Sequence, residues 1–167
     1  MPEQIDIRAK APNDFTDAEL SIFRELVVEA GEVVGAALKT NIANARNVVL
    51  LEKDGATLGV AALKRPQENY REKIGKNASF SLPISTYPYE LGYVFIKPIL
   101  QGLGLSHRLV SIALEHSDGS SVFATVRTDN AAMRAVLRSA GFVSVGEPYL
   151  GLSGRQIGLL VRRHEER

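Results

Sequence analysis

The sequence predicts an α/β (α+β) fold with a mixed, mostly antiparallel sheet of six to seven strands and helices on both faces. Short apolar strand patterns alternate along the chain with amphipathic helical patterns, which is typical of such a layered domain. The dipeptide Asp54-Gly55 joins two strand patterns as a hairpin, because both central positions of that turn take positive φ. The 167 residues fit a single domain, 1–167, without an internal repeat.

Composition excludes several classes of chemistry. With 20 basic and 19 acidic side chains the net charge is +1, so neither nucleic acid nor an anionic membrane is an expected partner. The absence of cysteine excludes disulfides, thiolate-bound zinc and a cysteine nucleophile, and the three scattered histidines predict no metal site. No apolar run approaches the roughly 20 residues that span a bilayer, and the first residues lack an apolar signal core. We therefore expect a soluble, cytoplasmic protein.

The first quarter of the chain indicates one strand and two helices. Residues 4–9 alternate polar and apolar side chains, as a short strand does. Thr16 and Glu19 have the spacing of a capping box at a helix start. Gly31 should end that helix, and residues 33–42 should form a second one. The apolar residues of the first helix recur at helical spacing: Leu20, Phe23, Leu26 and Val27.

The next segments indicate a hairpin and then a variable region. Asn47–Lys53 and Ala56–Lys64 are the two predicted strands on either side of the Asp54-Gly55 turn. Residues 65–88 are the least regular part of the sequence, with clustered charges followed by prolines. They predict a short helix and a long loop, and long loops in compact domains are often functional.

The second half of the chain has a sharper pattern. A strand over 90–97 ends at Pro98, and a helix is predicted over 102–116. Another strand over 121–127 follows. The apolar face of the 102–116 helix comprises Leu105, Leu109, Ile112 and Ala113.

The last helix carries clear signals at both ends. Asn130 is the predicted N-cap, Gly141 the left-handed C-cap, and Phe142 its apolar partner. Two closing strands, over 142–145 and 156–161, complete the fold. The predicted buried face of the helix comprises Ala132, Met133, Val136, Leu137 and Ala140.

The segment 96–106 has the composition of a phosphate-binding loop. A strand ends, glycines follow, and a helix begins, so unpaired N–H groups and the positive end of the helix dipole are exposed there. A P-loop needs a Gly-Lys-Ser/Thr ending, which is absent. A dinucleotide fingerprint needs a third glycine where His107 stands. A nucleotide-binding domain is therefore the least favoured interpretation of this loop.

The same segment resembles the signature of the GCN5-related N-acetyltransferase (GNAT) superfamily. That signature is Gln/Arg-x-x-Gly-x-Gly/Ala, and here it is read from Gln101 and Gly104, with Ser106 in place of the last small residue. The block 130–142 resembles the family's helix that runs from an asparagine to Gly-Phe. The resemblance is best over 90–142 and implies the acyl-CoA N-acyltransferase fold.

The resemblance also implies how acetyl-CoA would be held as co-substrate, without a metal. Main-chain groups of Phe95 and Ile96 would pair with the pantetheine arm, and Asn130 would lie near it. Lys97, Arg108, Arg134 and Arg138 are alternative contacts for the 3′-phosphate. The backbone N–H groups that would cradle the pyrophosphate belong to Gln101, Gly102, Leu103, Gly104, Leu105 and Ser106.

The resemblance implies a glutamate base at Glu90, acting through water, although an exposed residue at a strand entrance is the ordinary alternative. The thiol-protonating tyrosine of the family is replaced by Leu137. Solvent is one alternative source of that proton. The other candidate acids are Tyr93, Tyr149, Tyr89 and Ser106.

The implied function is transfer of an acetyl group from acetyl-CoA to a primary amine by direct attack. The acceptor, a small molecule or a protein amine, would lie against the segments 33–42 and 65–88. The alternative function is a non-catalytic acyl-CoA-binding regulatory module, for which Leu137 is the best support. A homodimer is compatible with the family, and the sequence does not decide it.

Overall fold

The computed structural model of the protein describes residues 4–31 and 37–164. Within these ranges seven strands form one mixed sheet, as predicted, and their order is β1-β2-β3-β4-β5-β7-β6. The strands are β1 (Ile5–Lys10), β2 (Asn47–Lys53), β3 (Ala56–Lys64), β4 (Tyr89–Ile96), β5 (Val122–Arg127), β6 (Val143–Leu150) and β7 (Gln156–Arg162). The helices are α1 (Asp17–Glu29), α2 (Leu38–Ala43), α3 (Glu68–Ala78), α4 (Leu105–Leu114) and α5 (Ala131–Ser139). Strands β4 and β5 pair in parallel, whereas the β1–β2, β2–β3, β5–β7 and β6–β7 pairs are antiparallel.

The predicted local signals at the first helix and the hairpin are confirmed. The hydroxyl of Thr16 accepts the backbone N–H of Glu19 at 3.1 Å, and the Glu19 carboxylate accepts the N–H of Thr16 at 2.9 Å. Asp54 and Gly55 have φ values of 52° and 82°, as the predicted turn requires. Both features depend on contacts between residues that are close in sequence.

Glu19 also connects α1 to the sheet. Arg8 on β1 donates to the Glu19 carboxylate at 2.5 Å and to the carboxylate of Glu52 on β2. The hydrogen bonds from Thr16 and Arg8 lower the pKa of Glu19 to about 2. The carboxylate therefore stays charged over the physiological range, and it holds the helix start against the first two strands.

The chain packs as two compact units, of which the first comprises Met1–Lys64 and Leu91–His116. Helices α1 and α2 cover one face of its strands, and the alternate side chains of β2 and β3 are buried on the other face, where α4 packs. The fully buried Asn47 links β2 to α4, because its Nδ2 donates to the carbonyl of Ala113 at 3.1 Å. The α1-side core comprises Phe15, Phe23, Leu26, Val27, Ile42, Ala45, Val48, Leu50, Val60 and Ala62.

The second unit comprises Arg65–Glu90 and Ser117–Arg167, and a buried arginine lies at its centre. Arg71 on α3 is 2% exposed, and its guanidinium donates to the carbonyl of Tyr87 and, at 2.8 Å, to that of Pro88. It also lies 5.6 Å from the ring centroid of Phe123, and burial lowers its pKa. The apolar core around it comprises Ile74, Ala78, Leu82, Tyr87, Phe123, Leu159 and Val161.

Several predicted helix details are wrong. Helix α4 begins at Leu105 rather than at residue 102, because Gly102 and Gly104 take φ values of 84° and 74° that no right-handed helix contains. Ala132 is exposed and does not belong to the buried face of α5, where Val136 and Leu137 are the buried residues. The number of residues that a helix buries depends on the elements against which it packs. A periodic pattern in the sequence does not identify those elements.

Two further boundaries differ from the prediction. The helix predicted over 33–42 corresponds to α2 from Leu38 onward, and residues 32–36 lie outside the described residues. Strand β6 extends to Leu150 rather than ending at residue 145, with an irregular register between Val145 and Tyr149. Over the described ranges, none of the helices has the length and apolar character that crossing a membrane requires.

The capping box predicts a measurable loss on substitution. Thr16→Ala should lower the free energy of unfolding by about 1 kcal/mol, because the N–H of Glu19 loses its acceptor. Thr40→Ala, at an exposed position of α2, is the matched control and should change stability by less than about 0.5 kcal/mol. Urea denaturation of both variants measures the difference. Equal stabilities would show that the cap contributes nothing.

The buried guanidinium predicts a larger effect. Arg71→Met should lower the free energy of unfolding by about 3 kcal/mol, because the carbonyls of Tyr87 and Pro88 lose their donor inside the protein. Arg155→Met is the control, since that arginine is exposed and pairs only with the exposed Asp129 among the contacts described, at 3.3 Å. Thermal unfolding should separate the two variants by roughly 2–4 °C per kcal/mol. A similar melting temperature for both would contradict the anchoring role of Arg71.

Candidate active site

The first unit contains the loop that links β4 to α4. A short 3₁₀ turn over Pro98–Leu100 follows the strand, and Leu100 is buried beneath it. The side-chain Nε2 of Gln101 donates to the carbonyl of Ile96 at 2.9 Å. This hydrogen bond joins the loop to the end of β4. The side chain of Gln101 therefore has a structural role that is separate from any role of its backbone N–H group.

The glycines of the loop leave open space above the backbone. A Cβ added at Gly102 or Gly104 would meet no atom within 4 Å, and both residues take positive φ. Gly104 is also the N-cap of α4 and makes no side-chain capping bond. Because the first N–H groups of a helix have no partner within that helix, the loop presents donors and a positive dipole end to any anion that approaches.

The strand before the loop carries one residue in an unusual conformation. Tyr93 has a φ of 56° in the middle of β4, a conformation that costs energy for a side chain other than glycine or asparagine. Its ring meets that of Phe23 edge-on at 6.0 Å, and Lys64 Nζ lies 4.4 Å from its centroid. Tyr93 is thus an aromatic packing residue of the first unit. Phe95 is half-buried and packs against the same α1-side core.

Glu90, the predicted base, is not the exposed strand-entrance residue of the ordinary alternative. It is 1% exposed, and its Oε2 accepts the hydroxyl of Tyr70 at 2.9 Å. Within the second unit it pairs with Phe123 of β5 in the parallel register. The Glu90 carboxylate is thus buried, hydrogen-bonded through one oxygen and close to the buried guanidinium of Arg71.

Tyr149 lies in the same unit and feels the charge of Glu90. Burial raises the pKa of the Tyr149 phenol to about 12, with the negative charge of Glu90 as the smaller cause. The hydroxyl therefore keeps its proton at neutral pH. Tyr89 differs, because its hydroxyl reaches the exposed Asp118 at 3.5 Å and its side chain points to the opposite face of β4 from Glu90.

The remaining predicted residues have structural partners. Asn130 caps α5 by accepting the N–H of Met133 at 3.1 Å, as predicted. Leu137 is 1% exposed and belongs to the buried side of α5, so an apolar core residue occupies the family's usual tyrosine position. Of the 3′-phosphate candidates, Lys97 pairs with Glu29 at 3.4 Å and Arg134 donates to the carbonyl of Thr128 at 3.1 Å. Arg108 and Arg138 are exposed.

The structure distributes the predicted residues over the two units. Leu103 is 62% exposed in the loop, Leu105 is buried as the first residue of α4, and Ser106 is half-buried beside it. These loop residues belong to the first unit together with Tyr93, Phe95, Ile96, Gln101, Gly102 and Gly104. Glu90, Tyr149 and Asn130 belong to the second. No three His, Asp or Glu side chains in the described ranges form a group suited to a metal ion.

Sequence reasoning missed Tyr70 and Arg71, the two α3 residues next to Glu90. A signal was present, because Arg71, Ile74 and Ala78 are spaced as one helical face and all three are buried. A charged residue within an apolar stripe indicates a buried, partnered charge. The contact of Tyr70 with Glu90 spans 20 residues and has no such local signal.

Comparisons with known proteins identify the family of the chain. The model of the acetyltransferase (GNAT) family matches residues 6–142. The N-alpha-acetyltransferase RimI of Mycobacterium tuberculosis is 32% identical over 112 residues, which are 66% of this chain and 61% of that protein. The chain therefore spans about three fifths of that relative's length.

Solved structures share the fold. The crystal structure of Escherichia coli ElaA has a TM-score of 0.70 at 15% identity, over 96% of this chain and 100% of ElaA. The structure of yncA from Salmonella typhimurium with its cofactor acetyl-CoA has a TM-score of 0.69 at 19% identity, over 98% and 96% of the two chains. At these identities the likeness concerns the fold alone. Since the family model covers most of the chain and the fold agrees, the protein belongs to the acetyltransferase (GNAT) family.

Proposed function

We propose that the protein transfers an acetyl group from acetyl-CoA to a primary amine by direct attack. The observation that carries this proposal is the buried Glu90 carboxylate, held by Tyr70 in a chain of this family. An amine needs to lose a proton before it attacks a thioester, and a positioned carboxylate can accept it. The glycine-containing loop before α4 supports acetyl-CoA as the donor.

In this proposal the backbone of the loop binds the donor. The N–H groups from Gln101 to Ser106 hold the pyrophosphate, and the positive φ of Gly102 and Gly104 keeps the approach free of side chains. Main-chain groups of Phe95 and Ile96 pair with the pantetheine arm. The carbonyl of Ile96 already accepts Gln101 and has a second lone pair for a ligand.

Glu90 acts as the base, through a bridging water. The buried guanidinium of Arg71 compensates its negative charge, so the carboxylate is tolerated away from solvent. As the amine attacks, the carbonyl oxygen of the thioester gains negative charge. Main-chain N–H groups of β4 stabilise this charge. The carbon–sulfur bond then breaks and the thiolate of coenzyme A leaves. The nitrogen loses its second proton as the amide forms, and this proton balances the one that the thiolate takes up.

Tyr149 is the better candidate of the two tyrosines for protonating the thiolate. Its hydroxyl is protonated at neutral pH and it lies in the unit that contains Glu90. Tyr93 instead packs on Phe23 within the α1-side core of the first unit. A thiol has a pKa of about 8.5, so the thiolate can also take its proton from water without a dedicated acid.

For the acceptor, we propose an α-amine, such as a protein or peptide N-terminus. The support is that the relative from Mycobacterium tuberculosis, RimI, is an N-alpha-acetyltransferase. An α-amine has a pKa of about 7.7–8.0, whereas a lysine side chain has a pKa of about 10.4. A base therefore removes the proton of an α-amine at neutral pH at a much smaller cost in free energy. A small-molecule amine is the alternative acceptor. The cytoplasmic location and the homodimer remain predictions.

A non-catalytic acyl-CoA-binding module is the second candidate function. The observation in its favour is Leu137, which is buried in the core where the family often has a tyrosine. This alternative predicts tight binding of acetyl-CoA with no acetyl transfer to peptides, polyamines or amino acids. A thiol-release assay over these three acceptor classes distinguishes the two functions.

The donor site predicts a loss of affinity in one loop variant. Gly104→Asp should weaken acetyl-CoA binding at least about tenfold, since it places a carboxylate against the pyrophosphate. Gly154→Asp is the matched control, because Gly154 also has positive φ and open space, in the turn between β6 and β7. Calorimetric titration with acetyl-CoA, and with ATP as a comparison ligand, measures both. Unchanged affinity in a folded Gly104→Asp variant would place the donor elsewhere.

The proposed role of Glu90 as the base predicts that its substitution lowers the turnover rate. Glu90→Gln should lower kcat by about 10²-fold and leave the Kd of acetyl-CoA nearly unchanged, because the amide accepts no proton but keeps the size of the side chain. Glu115→Gln, at an exposed position after α4, is the control. Steady-state rates of thiol release measure the effect. Full activity of Glu90→Gln would show that the base lies elsewhere or is not needed.

A further inference from the structure

The buried position of Glu90 creates a requirement for proton release. The residue is 1% exposed. A base that takes a proton from each acceptor amine has to return it to water before the next turnover. In the proposed mechanism the bridging water lies between the carboxylate and the amine. Return of the proton to bulk solvent therefore needs a second polar neighbour of the buried carboxylate, one that is exposed.

Tyr70 has the properties of such a group. Its hydroxyl donates to Glu90 Oε2 at 2.9 Å, and the residue is 41% exposed on the surface of α3. A phenol hydroxyl can donate and accept at the same time. Tyr70 thus has one hydrogen bond to the buried carboxylate and a side chain that water reaches.

Helix α3 holds Tyr70 in this position. The next residue, Arg71, donates to the carbonyls of Tyr87 and Pro88, which lie just before Glu90 in the chain. Ile74 continues the buried face of the helix. Both partners of the Tyr70–Glu90 bond are consequently attached to the same packed part of the second unit.

Among the described residues, two further titratable groups near Glu90 are less suited to proton release. Arg71 on α3 is 2% exposed, so it compensates the charge but does not exchange protons with water. Tyr149 on β6 is half-buried, and burial raises its pKa to about 12. Tyr70 combines a direct bond to the carboxylate with solvent exposure.

We propose that Tyr70 is a positioning residue for Glu90 and the outlet for the proton that Glu90 removes from the amine, an inference that rests on the proposed function. In the first step the N–H bond of the ammonium breaks, and its proton reaches Glu90 through a water molecule. In the second step the proton on Glu90 moves to the Tyr70 oxygen while the phenolic proton of Tyr70 passes to solvent. The carboxylate and the phenol are both restored, so no other reactant is needed.

The test is Tyr70→Phe, which removes the hydroxyl and keeps the ring. The kcat of acetyl transfer should fall about tenfold, with the Kd of acetyl-CoA unchanged. The acidic limb of the pH–rate profile should move to higher pH, because a hydrogen bond to the ionised carboxylate favours that form. A tertiary-amine buffer, which carries protons but cannot be acetylated, should restore part of the rate as its concentration rises.

Tyr89→Phe is the matched control. It removes a phenol hydroxyl from the residue next to Glu90, on the opposite face of β4 and bonded to the exposed Asp118. Its kcat, pH profile and buffer response should equal those of the unmodified protein. Melting temperatures of both variants, which should stay within about 2 °C of the unmodified protein, exclude a loss of structure as the cause.

The outcomes separate this inference from the proposed function. If the unmodified protein transfers acetyl groups, Glu90→Gln is impaired and Tyr70→Phe equals Tyr89→Phe, the inference is overturned and the proposed function stands. A slower Tyr70→Phe without a pH shift or buffer response also overturns it, since a general packing effect would do the same. Absence of acetyl transfer by the unmodified protein overturns both.

Discussion

The arrangement of the second unit depends on the buried guanidinium of Arg71. An ion of this kind costs several kcal/mol to remove from water and is stable only where hydrogen-bond acceptors and an opposite charge surround it. The carbonyls of Tyr87 and Pro88 and the carboxylate of Glu90 supply them. Satisfying this one group fixes α3, the turn before β4 and the first residues of β4 relative to each other. The Glu90 carboxylate is therefore positioned by the same interactions that stabilise this part of the fold.

The two units contain different kinds of candidate functional group. The first offers backbone: an open loop with Gly102 and Gly104, and the first N–H groups of α4. Backbone donors suit a phosphate ligand, because its recognition requires N–H direction and space rather than a particular side chain. The second offers side chains, with Tyr70 and Tyr149 around Glu90. Proton transfer requires side chains, since the group concerned has to change its protonation state.

The apolar residue at the family's tyrosine position is compatible with catalysis on physical grounds. Leu137 is buried on α5, and its carbonyl accepts the N–H of Phe142 at 3.0 Å, so the position contributes to the helix end and the core. The leaving group is a thiolate, which is a stable anion near neutral pH compared with an alkoxide or an amide ion. An acid accelerates its departure but is not a thermodynamic requirement. In the proposed enzyme the departure from the family pattern, Leu137, thus concerns protonation of the leaving thiolate, and this step can proceed without a dedicated acid.

The sequence by itself determined the features that depend on a few neighbouring residues. The capping box at Thr16, the Asp54-Gly55 hairpin and the Asn130 cap are local, because each partner lies within three residues and the backbone geometry follows from the residue type. The residue pattern from Gln101 onward also predicted the glycine-containing loop before α4. The role of this loop in binding acetyl-CoA is a proposal. Only the tertiary structure decided that Glu90 is buried and that Tyr70 contacts it. Burial and contacts between distant residues depend on how α3 packs on the sheet, and no periodicity within either segment specifies that packing.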